Sequence, residues 1–93
     1  SFHVRHAIIS IGALDADFGP SDSYLAEAEF ARMVLSRGET RVMLSDASKF
    51  GRTALIKVCD FKDINRLITD GIPDAKLAAV LQEAGVSVNV VAH

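Results

Sequence analysis

The chain has one cysteine, Cys59, no tryptophan and only two prolines among its 93 residues. A single cysteine excludes an internal disulfide, so packing alone must hold the fold, and a reducing cytoplasm is the expected localisation. Cys59 closes the apolar segment Ala54-Leu55-Ile56-Lys57-Val58-Cys59, which makes it a packed thiol rather than a nucleophile. Neither sign of charge dominates: ten lysines and arginines stand against twelve acids, for a formal net charge of -2. A basic face of the kind that grips nucleic acid is therefore not expected of this chain itself. No apolar run approaches a membrane span and the amino end shows no signal-peptide pattern, so no membrane partner is expected. Walker-type and dinucleotide-type glycine loops are lacking, as are Ser-His-Asp and Cys-His arrangements. His3 and His6, with His93 at the far end, have no companions to complete a ligand set, so no metal is expected.

What the sequence does contain is alternation of strands and helices. His6-Ala7-Ile8-Ile9-Ser10-Ile11 is rich in β-branched residues and ends at Gly12, which reads as a buried strand. Ala13 to Asp22 reads as a loop, since Asp15, Asp17, Gly19 and Pro20 are turn-formers. Ser21, Asp22 and Ser23 offer side-chain oxygens that could cap a helix starting nearby. That helix runs to about Arg37, with Gly38 as a left-handed stop. Leu25, Ala28, Arg32 and Leu35 share one of its sides, and Ala26, Phe30, Met33 and Val34 the other. Such two-sided apolarity predicts burial against more than one neighbour. Arg41 to Ser45 is the second strand. Ala54 to Cys59 could be a short strand, a loop or the lip of a site, and Phe61 to Asn65 a single helical turn. Arg66-Leu67-Ile68-Thr69 is a third strand. Leu77, Val80, Leu81 and Ala84 follow helical spacing from Asp74 to Ala84, with Pro73 before and Gly85 after. Val86 to Val91 is a final strand. The expected fold class is α/β, a mostly parallel sheet of about four strands with flanking helices joined by right-handed crossovers. Two helices cannot readily cover both faces of such a sheet, so apolar surface should be left over.

The densest chemical signal is Val42-Met43-Leu44-Ser45-Asp46-Ala47-Ser48-Lys49-Phe50-Gly51. An apolar strand ends there in an acid, two hydroxyls, a lysine and a glycine. Ligands of open α/β sheets bind beyond the carboxyl ends of the strands, so Lys49 is placed to hold an anionic group. Asp46 could orient Lys49 or bind a sugar hydroxyl, or could simply cap its own turn. Ser48 shares that ambiguity. Gly12 ends the first strand on the same rim, where it either admits a ligand or begins a turn. Glu27 and Glu29 lie early in the first helix, where the dipole accounts for at least one of them. Asp70 also ends a strand, and an Asp-Gly turn explains it nearly as well as a ligand contact.

These residues resemble a known family. Leu44-Ser45-Asp46-Ala47-Ser48-Lys49-Phe50-Gly51-Arg52, then Leu67-Ile68-Thr69-Asp70, then Leu81-Gln82-Glu83-Ala84-Gly85-Val86 look like the carboxyl-terminal effector domain of DeoR/GlpR-type transcriptional regulators. Glu27-Ala28-Glu29-Phe30-Ala31-Arg32-Met33 also resembles the family's helix, with Ala31 in place of a lysine. The resemblance implies a fold related to ribose-5-phosphate isomerase and a phosphorylated sugar or similar metabolite as ligand. It implies that Lys49 contacts the ligand with Asp46 and Ser48 beside it, Gly12 on the rim and Glu27 facing the pocket. It implies a regulator rather than an enzyme, with no catalytic residue and no cofactor, since Ala13-Leu14 takes the place beside Gly12 where the isomerases keep a carboxylate. Residues 1–93 would then be the later half of a sensor domain. DNA would be reached only through a helix-turn-helix domain missing from this chain, and association into a homo-oligomer is expected. The rivals are a sugar-phosphate aldose-ketose isomerase and a structural dimerisation module.

Overall fold

The β-branched segment at the amino end forms strand β1 (Val4–Ser10), and in the computed structural model, which describes residues 3–91, it lies at the edge of a four-stranded sheet. Strands β4 (Gly38–Leu44), β6 (Arg66–Thr69) and β7 (Ser87–Val90) complete it in the order β1-β4-β6-β7, every pair parallel. Helix α1 (Leu25–Arg37) connects β1 to β4, and α2 (Ala75–Glu83) connects β6 to β7. This is the α/β architecture expected from the alternating pattern.

Strand order follows chain order, so every crossover steps in the same direction. Right-handed crossovers of that kind put all the connecting chain on one face. The register Ile9–Met43–Leu67 runs across that face, and these three side chains share a single core with Ala28, Ala31 and Leu35 of α1 and Leu77 and Leu81 of α2. Alternate residues point the other way. Ile8 is 57% exposed there and Leu44 37%, which is the leftover apolar surface. On α1, Leu25 and Phe30 are likewise exposed. The helix does meet a second neighbour, the segments Gly19–Asp22 and Ile56–Lys57, but that contact leaves Leu25 and Phe30 uncovered.

Three readings need correction. The expected loop from Ala13 to Asp22 is a hairpin, β2 (Ala13–Asp15) and β3 (Gly19–Asp22), extended by β5 (Ile56–Lys57) into a three-stranded antiparallel sheet. The turn-formers make only its tip, where Asp15 Oδ2 accepts from the amides of Asp17 at 3.0 Å and Phe18 at 2.7 Å. Its flanks are buried at Ala13, Leu14, Pro20 and Ser21, and strands this short show too little alternation to stand out. The expected helix cap is also absent: the residue before α1 is Tyr24, and no side chain caps it. Ser21 and Asp22 are committed to β3, and Ser21 Oγ accepts from the Ala54 amide at 2.9 Å instead. Finally, Gly38 is extended (φ -92) rather than left-handed. Helix α1 runs directly into β4, and a Cβ on Gly38 would overlap Ala7 Cβ on the neighbouring strand, so close approach selects the glycine. Gly85 does have the left-handed conformation expected after a helix, with φ 79.

The remaining segments follow the sequence closely. Asp74 Oδ1 accepts from the Leu77 amide at 2.9 Å and caps α2. Phe61–Asp63 forms one 3-10 turn. His93 lies outside the described residues.

Candidate functional site

Two strand ends and a hairpin converge at the carboxyl edge of the parallel sheet. Past β1, the Ile11 amide donates to Leu44 O at 3.2 Å, which extends the ladder to the residue before Gly12. Past β4, the Ser45 amide donates to Ile68 O at 3.1 Å, and the chain then rises into a 3-10 turn over Ala47–Lys49. Asp46 caps that turn: its Oδ1 accepts from the Ser48 amide at 3.0 Å and from the Ser48 hydroxyl. Asp70, at the end of β6, accepts from the Ala47 amide at 2.7 Å. Beyond the turn, Gly51 takes φ 76 and its amide donates to Leu14 O at 2.8 Å. The loop that carries Lys49 is thereby tied at one side to the third strand of the sheet and at the other to the hairpin.

Lys49 is half-buried and lines a cavity of about 650 Å³ beside β1 and α1. Gly12 and Glu27 line the same cavity, with Ile9, Ile11 and Phe30 as its apolar wall. The two ion pairs among the described residues are Lys57–Asp60 and Lys76–Asp17, so the Lys49 ammonium has no carboxylate partner. Three of the five residues singled out in the sequence therefore share one hollow. Asp46 and Ser48 do not line it; they bond to each other on the exposed loop. The hydrogen bond from Ser48, and secondarily the Lys49 charge, hold the Asp46 carboxyl below its ordinary range.

Sequence reasoning missed one residue. Asp22, the last residue of β3, also lines the cavity, and its Oδ1 lies 2.8 Å from the point where a Cβ on Gly12 would sit. Ala13-Leu14 does follow Gly12 in the chain, but the hairpin brings a carboxylate back to it from ten residues along. Its register, with Ala13 opposite Ser21, puts Gly12 opposite Asp22. The missing Cβ at Gly12 makes room for that carboxylate. The Asp15-to-Gly19 turn residues mark a reversal of the chain, but the flanking Ala13-Leu14 and Pro20-Ser21 carry no pattern that announces the pairing.

The lining thus carries one ammonium and two carboxylates. The first turn of α1 contributes Ala26 and Glu27 to the lining, so the positive end of a helix lies beside the cavity. Such a site can hold an anionic group at Lys49 and can accept hydrogen bonds from hydroxyls at Asp22 and Glu27. A second hollow of about 420 Å³ lies between Arg32, Arg41 and Cys59. Both guanidiniums there donate to backbone carbonyls, Arg32 to Val58 and Lys57 and Arg41 to Asp63. Burial, reinforced by Asp63 and Asp60, pushes the Cys59 thiol up to about 12, which keeps it neutral and unreactive. Among the described residues no cluster of histidine, cysteine and acids could hold a metal ion, and no helix is long and apolar enough to cross a membrane.

Comparison with known proteins places this geometry in context. The model of the DeoR C-terminal sensor domain matches residues 1–71. An uncharacterized HTH-type transcriptional regulator of Bacillus subtilis, YulB, is 28% identical over 91 residues, covering 98% of this chain and 35% of the regulator. A putative aga operon transcriptional repressor of Escherichia coli O157:H7 is 33% identical over 92 residues, covering 98% of this chain and 34% of the repressor. The glycerol-3-phosphate regulon repressor of Haemophilus influenzae is 27% identical over 73 residues, covering 78% of this chain and 29% of that protein. The chain spans about a third of the length of the curated relatives it matches.

Proposed function

The chain belongs to the DeoR C-terminal sensor domain family, and from that premise we propose that it binds a phosphorylated sugar or related metabolite in the cavity beside Gly12. The observation that carries this reading is the half-buried, unpaired ammonium of Lys49 on the wall of that cavity. An unpartnered cation at the carboxyl edge of a parallel sheet matches the chemistry of a phosphate or carboxylate ligand. One relative is named for glycerol 3-phosphate, which supports a phosphorylated polyol. Lys49 supplies the charge, Glu27 faces the ligand body, and Asp46 and Ser48 hold the loop that presents Lys49. In the intact regulator, a ligand that favours one conformation would shift the population bound to DNA through a separate helix-turn-helix domain, without catalysis. Self-association and a cytoplasmic setting are both part of the proposal; the bare sheet face with Ile8 and Leu44 supports the first, and likeness to transcriptional regulators supports the second.

Calorimetric titration of the 93-residue chain with glycerol 3-phosphate and glucose 6-phosphate tests this directly. Lys49→Ala should weaken binding by about ten- to a hundredfold, the range of a lost charge-assisted bond. Unchanged affinity removes the assignment. One observation favours the isomerase alternative: Asp22 and Glu27 bring two carboxylates to the cavity of Lys49, and proton transfer needs such a base within hydrogen-bond reach of the substrate. Conversion of glucose 6-phosphate to fructose 6-phosphate, abolished by Glu27→Gln, would establish that activity.

A further inference from the structure

We infer that Asp22 determines the specificity of this cavity: its carboxylate accepts hydrogen bonds from ligand hydroxyls and limits the site to polyols carrying one anionic group. The inference rests on the ligand reading above and adds the nature of the ligand body.

The backbone fixes Asp22 from two sides. It pairs with Ile56 of β5, while its neighbour Ser21 pairs with both Ala13 and Lys57. The carboxylate then lies against Gly12, in space that any other residue at position 12 would fill with its own Cβ. No hydrogen bond or ion pair within the described protein uses it. An ionised carboxylate can only accept hydrogen bonds, and leaving it unpaired in an occupied cavity is costly. A ligand that fills this hollow must therefore bring donors to Asp22, as a polyol does.

Charge balance makes the same point from the other side. Lys49 is the one cation on the lining, against Asp22 and Glu27. A single phosphate uses that cation. A second anionic group on the ligand body would sit among carboxylates with no cation left to meet it. Like charges about 4 Å apart near a protein surface repel strongly enough to cost on the order of a thousandfold in affinity. Asp22 thus rewards hydroxyls and rejects acids at the same position.

The test uses matched pairs that differ by one carboxylate: glycerol 3-phosphate against 3-phosphoglycerate, and glucose 6-phosphate against 6-phosphogluconate. Calorimetry on the 93-residue chain should show the first member of a bound pair preferred by tenfold or more. Asp22→Asn should weaken that member about tenfold and shrink the preference, whereas Lys49→Ala should weaken both members and leave their ratio unchanged. Gly12→Ala, which keeps the carboxylate but displaces it, should reproduce the Asp22→Asn pattern and covers the case in which Asp22→Asn fails to fold. Equal binding of both members by the unaltered chain, or an unchanged ratio in Asp22→Asn or Gly12→Ala, overturns the role of Asp22 while the ligand reading stands. A chain that binds none of the four compounds overturns both.

Discussion

Gly12 and Gly38 are both crowded glycines, yet substitution by alanine should affect them in opposite ways. Neither has a positive φ, so alanine strains neither backbone, and in both cases it stabilises by about 0.4–1 kcal/mol through the unfolded chain. What decides the outcome is the neighbour. At Gly12 the new Cβ would meet Asp22 Oδ1 at 2.8 Å, the far end of a side chain that can turn toward solvent. Turning it off its preferred rotamer costs about 0.5–1.5 kcal/mol, so the two terms nearly cancel. At Gly38 the new Cβ would overlap Ala7 Cβ and stand 3.0 Å from Ala7 N and 3.1 Å from Thr40 O. All three atoms belong to paired strands and cannot move independently, and overpacking of this kind costs about 1–3 kcal/mol. For a domain of this size each kcal/mol shifts the melting temperature by about 4–8 °C. Gly38→Ala should therefore melt roughly 5–15 °C lower, while Gly12→Ala melts within a few degrees of the unaltered chain and loses ligand affinity. Thermal denaturation followed by circular dichroism reads the first quantity and calorimetric titration the second. A Gly38→Ala chain as stable as its parent, or a Gly12→Ala chain that unfolds early, would refute the reasoning.

Leu14→Ala should cost about 2–5 kcal/mol in urea unfolding, as for any large core truncation, because Leu14 is fully buried in the hairpin and belongs to the main core. A loss under about 1 kcal/mol would mean that the hairpin is a detachable flap. Asp46 should contribute to acid sensitivity. Its carboxyl is held below the ordinary value of 3.8, chiefly by Ser48, so its stabilisation is complete above that value and is lost as pH falls through the lowered one. Asp46→Ala should therefore be the less stable chain near neutrality and should lose less on further acidification; urea midpoints measured from about pH 6 to pH 2 that stay parallel for the two chains would contradict this.

The parallel sheet was legible because each of its parts carries its own local signal. Ile8-Ile9 and Val42-Met43-Leu44 are strand-like without reference to anything else, and Leu77, Val80 and Leu81 are helical by spacing alone. The hairpin lacked such a signal. Ala13-Leu14 and Pro20-Ser21 become strands because they pair with each other and with Ile56-Lys57, more than thirty residues away. Gly38 misled for a related reason. A glycine after a helix reads as a left-handed stop, and only the approach of Ala7 on a neighbouring strand explains its extended conformation.

The same distinction between local and distant causes accounts for what could be read of the site. Lys49 is placed by its own strand: once Val42-Met43-Leu44 is a buried central strand, the residues after it must emerge at the sheet's carboxyl edge. Gly12 reaches that edge by the same argument from β1. Glu27 needs only a helix start just before it. Asp22 required a different step, because a carboxylate ten residues from Gly12 becomes its neighbour only if the intervening chain folds back in one particular register. A shift of that register by one residue would turn Asp22 to the opposite side of its strand and leave Gly12 facing Ser21 or Ser23. The ligand cavity therefore owes its cation to a signal written along the chain and one of its two acids to a pairing that no local pattern announces. That is why an anion-binding site could be expected from the sequence, whereas the role proposed for Asp22 could be argued only from the folded chain.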